Sequence, residues 1–230
     1  MANIHLIGGE KGGVGKSVVA RLLAQYCIDH SVPFLGFDAD RSHGALMRFY
    51  ADYASPVLVD RYESLDAIVE SATDNPERRI IVDLAAQADE PLTQWMDESQ
   101  LLEVAREIGL NIRYWHVMDT GRDSVDLLRR LFDRYGQRLS YVIVLNQLRG
   151  DDFHLFRSSG LAERAESLNA PAITLRHLAN ATMLKIDENS SSFWSAGQGE
   201  SGAVRFGMLE RQRFRTWLKG AYEAIESLGV

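Results

Sequence analysis

Between positions 12 and 17 the chain reads Gly12-Gly13-Val14-Gly15-Lys16-Ser17. Three glycines let a backbone turn tightly enough for several N–H groups to converge on one point. An ammonium and a hydroxyl follow at once, where the apolar spacing of Val18, Val19, Leu22, Leu23, Tyr26 and Cys27 predicts the first helix over 16–30. A glycine-rich turn between a strand and a helix is a receptor for phosphate. Its amides and the positive helix end hold the oxygens, Lys16 would reach the outer phosphates, and the Ser17 hydroxyl would ligate Mg²⁺. Val18 continues the same turn. Lys11 stands just upstream, and the chain has only two further lysines, Lys185 and Lys219. Two lysines within six residues of so lysine-poor a chain favour phosphate work over a solvated loop.

Three carboxylates fall where such a receptor would need them. Phe37-Asp38-Ala39-Asp40 closes one short apolar run, and Ile80-Ile81-Val82-Asp83 closes another. An acid emerging from a buried strand beside bound phosphate can hold Mg²⁺, directly or through water. Asp38 and Asp40 also fit as turn or helix-capping residues. Leu145-Asn146-Gln147-Leu148 ends a further run, with Asn146 at its tip; a turn asparagine is nearly as good a reading there. Gln147 and Arg149 stand where a guanine-reading Asn-Lys-x-Asp would carry Lys and Asp, so guanine is not the expected base.

The elements that must position these groups alternate. Strands are predicted at 3–7, 34–38, 79–84, 112–118, 139–145 and 172–175. Helices are predicted at 16–30, 62–71, 91–108, 124–135, 158–168, 178–186 and 204–228. Continuous apolar strands separated by helices imply an α/β fold: a mostly parallel twisted sheet with helices on both faces, whose ligands bind beyond the carboxyl ends of the strands. The 230 residues are expected to form one domain, 1–230. Residues 189–202 read as a loop pinned by Phe193 and Trp194.

With 46% hydrophobic and 25% charged residues the composition is that of an ordinary globular chain, and no apolar run is long enough to span a membrane. The first residues lack the pattern of a secretory signal. The lone Cys27 excludes an internal disulfide and any cluster needing two cysteines per chain, which leaves the cytoplasm as the expected compartment. A net charge of −7 hides an asymmetry. Residues 60–107 carry thirteen acids against four arginines, whereas 203–219 carry five basic residues against one acid.

The stretch Glu10-Lys11-Gly12-Gly13-Val14-Gly15-Lys16-Ser17 resembles the deviant Walker A motif of the ParA/MinD family, with Lys11 at the position of the signature lysine. Beyond the phosphate loop, the chain is similar to the small ParA-like ATPases of conjugative transfer systems, the TraL type. The similarity rests on Met1–His5, Ala24-Gln25-Tyr26, Pro91-Leu92 and Glu210-Arg211-Gln212-Arg213. This resemblance implies a P-loop NTPase of the SIMIBI type that binds ATP and Mg²⁺. It implies a homodimer sandwiched on nucleotide, with Lys11 touching the partner's phosphates, and slow hydrolysis that positions cargo through a protein partner, at the nucleoid or pole of a bacterial cell. It gives Asp40 the role of orienting the attacking water, Asp38 a place in the Mg²⁺ shell, Asp83 the Walker B role and Asn146 a contact to adenine. Arg41-Ser42 replaces the family's Pro-Gln after Asp40.

Val204, Leu209, Trp217, Leu218, Ala221, Ile225 and Leu228 are expected to line one apolar stripe of the last helix. Arg211, Arg215 and Lys219 recur every four residues along another face, a candidate contact for DNA phosphates or an acidic partner; a solvated face explains them equally well. The last ten residues carry two acids and no base, the wrong sign for an anionic membrane. Two other functions stay open from the residues: an ATP-dependent ligase or synthetase, and a nucleotide-gated adaptor with little hydrolysis.

Overall fold

The computed structural model describes residues 3–9, 12–40, 44–198, 202 and 204–229. Lys11, the candidate trans-acting cation, lies outside the described residues, as do Arg41 and Ser42.

Seven strands form one parallel sheet: β1 (Asn3–Gly8), β2 (Phe34–Asp38), β3 (Ala54–Pro56), β4 (Arg79–Asp83), β5 (Asn111–Met118), β6 (Ser140–Asn146) and β7 (Ala172–Leu175), in the order β3-β2-β4-β1-β5-β6-β7. All pairings are parallel. Parallel strands buried on both faces need apolar residues at odd and even positions alike, and the sheet divides them accordingly. Ile4, Leu6, Ile80, Val82, Ile112, Tyr114, Tyr141 and Ile143 pack on one side; Ile7, Ile81, Trp115, Val117, Val142 and Val144 pack on the other.

The first side is covered by α3 (Tyr62–Asp74), α4 (Asp89–Glu98), α5 (Leu101–Glu107), α6 (Arg122–Tyr135), α7 (His154–Ser158) and α8 (Leu161–Ser167). On the second side lie α1 (Lys16–Asp29), α2 (Ala45–Phe49), α9 (Asn180–Glu188), α10 (Phe193–Gly197) and α11 (Met208–Glu226). No helix among the described residues is long and apolar enough to cross a membrane.

Several boundaries differ from the sequence expectation, each for a local reason. The helix expected over 91–108 is two helices, because Gln100 turns left-handed at φ 47° between α4 and α5. The helix expected over 158–168 likewise breaks at Gly160, φ 77°. Residues 189–202 contain α10, opened by the Ser192 side chain accepting from the Ser195 amide, the usual N-cap device. Its two aromatics part company: Phe193 is fully buried, whereas Trp194 is 56% exposed. The last helix starts at Met208. Val204 therefore packs before it, Leu209 faces solvent at 66% exposure, and Phe214 joins Trp217, Ala221 and Ile225 on the buried stripe.

Candidate functional site

The carboxyl ends of β1, β2, β4 and β6 meet at a cleft of about 660 Å³, whose lining includes Gly12, Gly13, Gly15, Lys16, Ser17, Val18, Asp40 and Asn146. A volume of that size is typical of a nucleotide-sized ligand site. At its head α1 begins without a side-chain cap and without an acid in its first turn. Its first amides and the positive end of its dipole are therefore available to an anion. Gly15 opens the helix at φ 99°, and a Cβ there would overlap the Asn146 side-chain amide. Only glycine satisfies both demands. Val14 contributes backbone alone, since its side chain is buried in the core.

Lys16 is only 7% exposed. Burial lowers its pKa, while the charges of Asp83 and Asp40 pull it back up. A desolvated ammonium beside two carboxylates is a cation held in place for an anionic ligand. Asp83 is its counterpart. It is 1% exposed at the end of β4, with the Ser17 hydroxyl as its hydrogen-bonding neighbour. Burial pushes its pKa up to about 7; the nearby Ser17 hydroxyl and Lys16 charge oppose the rise, and Asp38 and Asp40 reinforce it. A buried carboxylate costs stability unless its charge is met, and with the Ser17 hydroxyl beside it the residues present fit a divalent cation. Mg²⁺ keeps most of its water and phosphate ligands and needs only one or two protein oxygens. Ser17 and Asp83 would supply them.

Asp38 does something the sequence left open. One oxygen accepts the Asp40 amide at 3.0 Å and the other accepts the Met47 amide at 3.0 Å. It is thus a side-chain cap for α2, a short helix with no cap of its own. Burial raises its pKa, and these amides offset the rise. Asp40 lines the cleft, and its carbonyl accepts the Gly44 amide at 2.9 Å. Asn146 is 4% exposed and donates its Nδ2 to the Val14 carbonyl at 2.7 Å. Its amide is spent on bracing the phosphate loop, which leaves its oxygen for any base.

Sequence reading missed Arg21, one turn beyond Ser17 on α1. Its guanidinium lies 3.6 Å from the Phe49 ring centroid and 4.6 Å from that of Phe193, and Nη1 meets Asp187 at 2.9 Å. This one side chain ties α2, α9 and α10 to the helix that starts the phosphate loop. The only signal was an arginine inside an otherwise apolar stretch, and it gave no hint of its partners.

The basic residues of α11 are less available than their spacing implied. Arg211 is half-buried and donates to the Phe206 carbonyl at 3.4 Å. Arg215 is exposed and donates to the Gly197 carbonyl at 3.1 Å, and exposed Lys219 lies 3.6 Å from Glu223. On the other side of the helix Trp217 lines the cleft and donates Nε1 to the Arg176 carbonyl at 2.7 Å.

Two histidines are buried in the same sheet. Trp115 Nε1 donates to His5 Nδ1 at 3.0 Å, and His116 Nε2 meets the Ser124 carbonyl at 2.8 Å. Burial, with Arg113 and Arg79, holds His5 down to about 3; burial holds His116 down to about 4. A base whose folded pKa is depressed adds stability above its unfolded value near 6.5 and loses it as pH falls toward the folded one. Acidification from pH 7 to 5 is therefore expected to cost about 2 kcal/mol per histidine, at ~1.4 kcal/mol per unit. Asp83 acts with the opposite sign over the same window, so denaturant titrations belong in an Asp83→Asn background. A flat stability between pH 7 and 5 there would contradict the neutral-histidine assignment.

The fold is shared with solved structures of MinD and plasmid partition proteins. Over 95% of this chain and 97% of the other, it superposes on a MinD cell division protein of Aquifex aeolicus with TM-score 0.54 and 11% identity. A plasmid partition protein of Borrelia burgdorferi, solved with AMPPNP, gives TM-score 0.53 at 14% identity over 97% and 99% of the two chains. In sequence the chain is similar to TraL of Escherichia coli, 26% identical over the full length of both. It is likewise similar to MobD of Acidithiobacillus ferrooxidans, 26% identical over 98% of this chain and 97% of that one. No protein-family model matches the chain.

Proposed function

We propose that this chain is an Mg-ATP-dependent switch: it binds ATP in the cleft, forms a nucleotide-sandwich homodimer, and hydrolyses ATP slowly to position cargo. The observation that carries this reading is the meeting, at one uncapped helix start, of a desolvated Lys16, the Ser17 hydroxyl and a desolvated Asp83. That set suits a phosphate and a divalent cation bound together. Binding rests on the Gly12–Ser17 amides and Lys16. Ser17 and Asp83 would hold Mg²⁺, which would supply positive charge against the phosphates when bound. Asp40 orients the attacking water and takes its proton as the bond from phosphorus to the leaving oxygen breaks. Lys11 supplies the cation in trans.

The likeness to TraL supports conjugal transfer or plasmid maintenance as the setting, with a protein partner as cargo. Nonspecific DNA is a weaker candidate, since Arg211 and Arg215 both donate to carbonyls of their own chain. ATP turnover and oligomeric state, measured with and without nonspecific duplex DNA across a salt series, test the whole reading. ATP-dependent dimerisation with measurable ADP release supports it. Tight ATP binding without ADP release would leave an adaptor, and turnover raised by a small carboxylic acid would point to a ligase. DNA binding that needs ATP and falls steeply with salt would restore the α11 face as a phosphate contact.

A further inference from the structure

The turn after Asn146 carries a cation that nothing above employs. Residues Gln147–Arg149 form a single 3-10 turn, so Arg149 comes back beside the strand end. Its Nη2 stands 3.1 Å from where a Cβ on Gly13 would be, and Gly13 is held at φ 79°. Asn146 meanwhile bonds the Val14 carbonyl and fills the space beside Gly15. One tetrapeptide thus touches three consecutive residues of the phosphate loop. Arg149 is not among the residues lining the cleft, so it meets the loop from outside.

The guanidinium is fixed from beyond the turn. Nη1 lies 3.1 Å from Asp119 Oδ2, and the Asp119 side chain is 7% exposed against 49% for Arg149. The other oxygen, Oδ1, accepts the Gly121 amide and the Ser124 hydroxyl, both at 2.9 Å. Ser124 is itself buried, with its carbonyl facing His116. A rigid acceptor at the end of β5 therefore sets the position of a half-exposed arginine carried by β6. Pairs this open contribute little to stability. Their effect lies in geometry: a planar fork holding Asp119 with one arm and flanking Gly13 with the other removes alternative conformations of a glycine pair. Ordering a loop in advance lowers the free-energy cost of binding.

We propose that Arg149, anchored by Asp119, is a positioning residue that preorganises Gly13 and the following amides for nucleotide phosphates. The proposal rests on the nucleotide-binding reading of the cleft. Because the loop contacts phosphates common to ADP and ATP, Arg149→Ala is expected to weaken both ligands by the same factor, about tenfold, or ~1.4 kcal/mol. The melting temperature without nucleotide and kcat at saturating ATP should stay at wild-type values. Asp119→Asn is expected to act in the same direction, and Arg149→Lys to recover only part, since an ammonium cannot serve both contacts at once. Titration calorimetry with ADP and with ATP, beside thermal melts, reads all three variants. Unchanged affinity in Arg149→Ala overturns the proposal, as does a loss confined to ATP or a wild-type affinity in Asp119→Asn. Failure of the wild-type protein to bind either nucleotide would instead overturn the reading of the cleft itself.

Discussion

Asp40→Ala is expected to bind ATP within a few-fold of wild type while turnover falls by about two orders of magnitude or more, the range associated with losing a general base. The backbone helps place this carboxylate. Its amide is fixed on Asp38 Oδ1 and its carbonyl on the Gly44 amide, so the side chain projects into the cleft beside Lys16. A group that acts on the water and not on the phosphates leaves ground-state binding alone, so the loss should appear in kcat. The variant should consequently accumulate as the ATP-bound dimer. Single-turnover hydrolysis beside light scattering reads both effects, and wild-type turnover in Asp40→Ala would remove the residue from the mechanism. Asp38→Ala makes the informative contrast: it strips the cap from α2 and is expected to lower melting temperature as well as activity.

Asp83→Asn should push stability and function in opposite directions. The carboxyl is fully desolvated and held near pKa 7 against an ordinary value of 3.8. Keeping that carboxylate charged in the folded protein costs stability at pH above the folded value. An amide of equal size removes the charge but leaves Lys16 less compensated, so the net gain without nucleotide is expected to be about 1–3 kcal/mol. A melt across pH reads the sign. Charged Asp83 costs the wild-type protein stability above its unfolded pKa, a cost relieved as pH falls from 7 toward 4, whereas the variant lacks that relief. Affinity for ATP in Mg²⁺ should drop to the value measured with a chelator. A destabilised Asp83→Asn, or one that keeps the full Mg²⁺ effect, would show that Asp83 is a structural acid.

What could be read in advance followed from strong local signals. Runs such as Ile80-Ile81-Val82-Asp83 gave both a central strand and the acid at its tip, and the glycine spacing of 12–15 gave the phosphate loop with its helix. β3, by contrast, is Ala-Ser-Pro at the sheet edge, three residues with no β-branched side chain and a proline. Its strand character comes from pairing with β2. Helix α2 was equally silent, because its cap is Asp38, nine residues from the amide it accepts. At the site the same division holds. Lys16, Ser17 and Asp83 sit in a motif, while Arg21 with Asp187 and Arg149 with Asp119 are joined only by the fold, across 166 and 30 positions of sequence. Periodicity also misled at the last helix: the stripe drawn from Val204 through Leu228 presumed a helix from its first member, but the helix starts at Met208, with Leu209 outward and Phe214 inward.

The placement of the four tryptophans gives the protein its own optical readout. Trp95 and Trp115 are sealed in the two core layers and should emit as constant, blue-shifted background. Trp194, the exposed neighbour of buried Phe193, is the one fluorophore open to aqueous quenchers. Trp217 walls the cleft with its indole nitrogen bonded to the Arg176 carbonyl, so its emission answers to whatever fills that space. Iodide quenching and ligand titration therefore address different tryptophans, and site occupancy can be followed without attaching a dye.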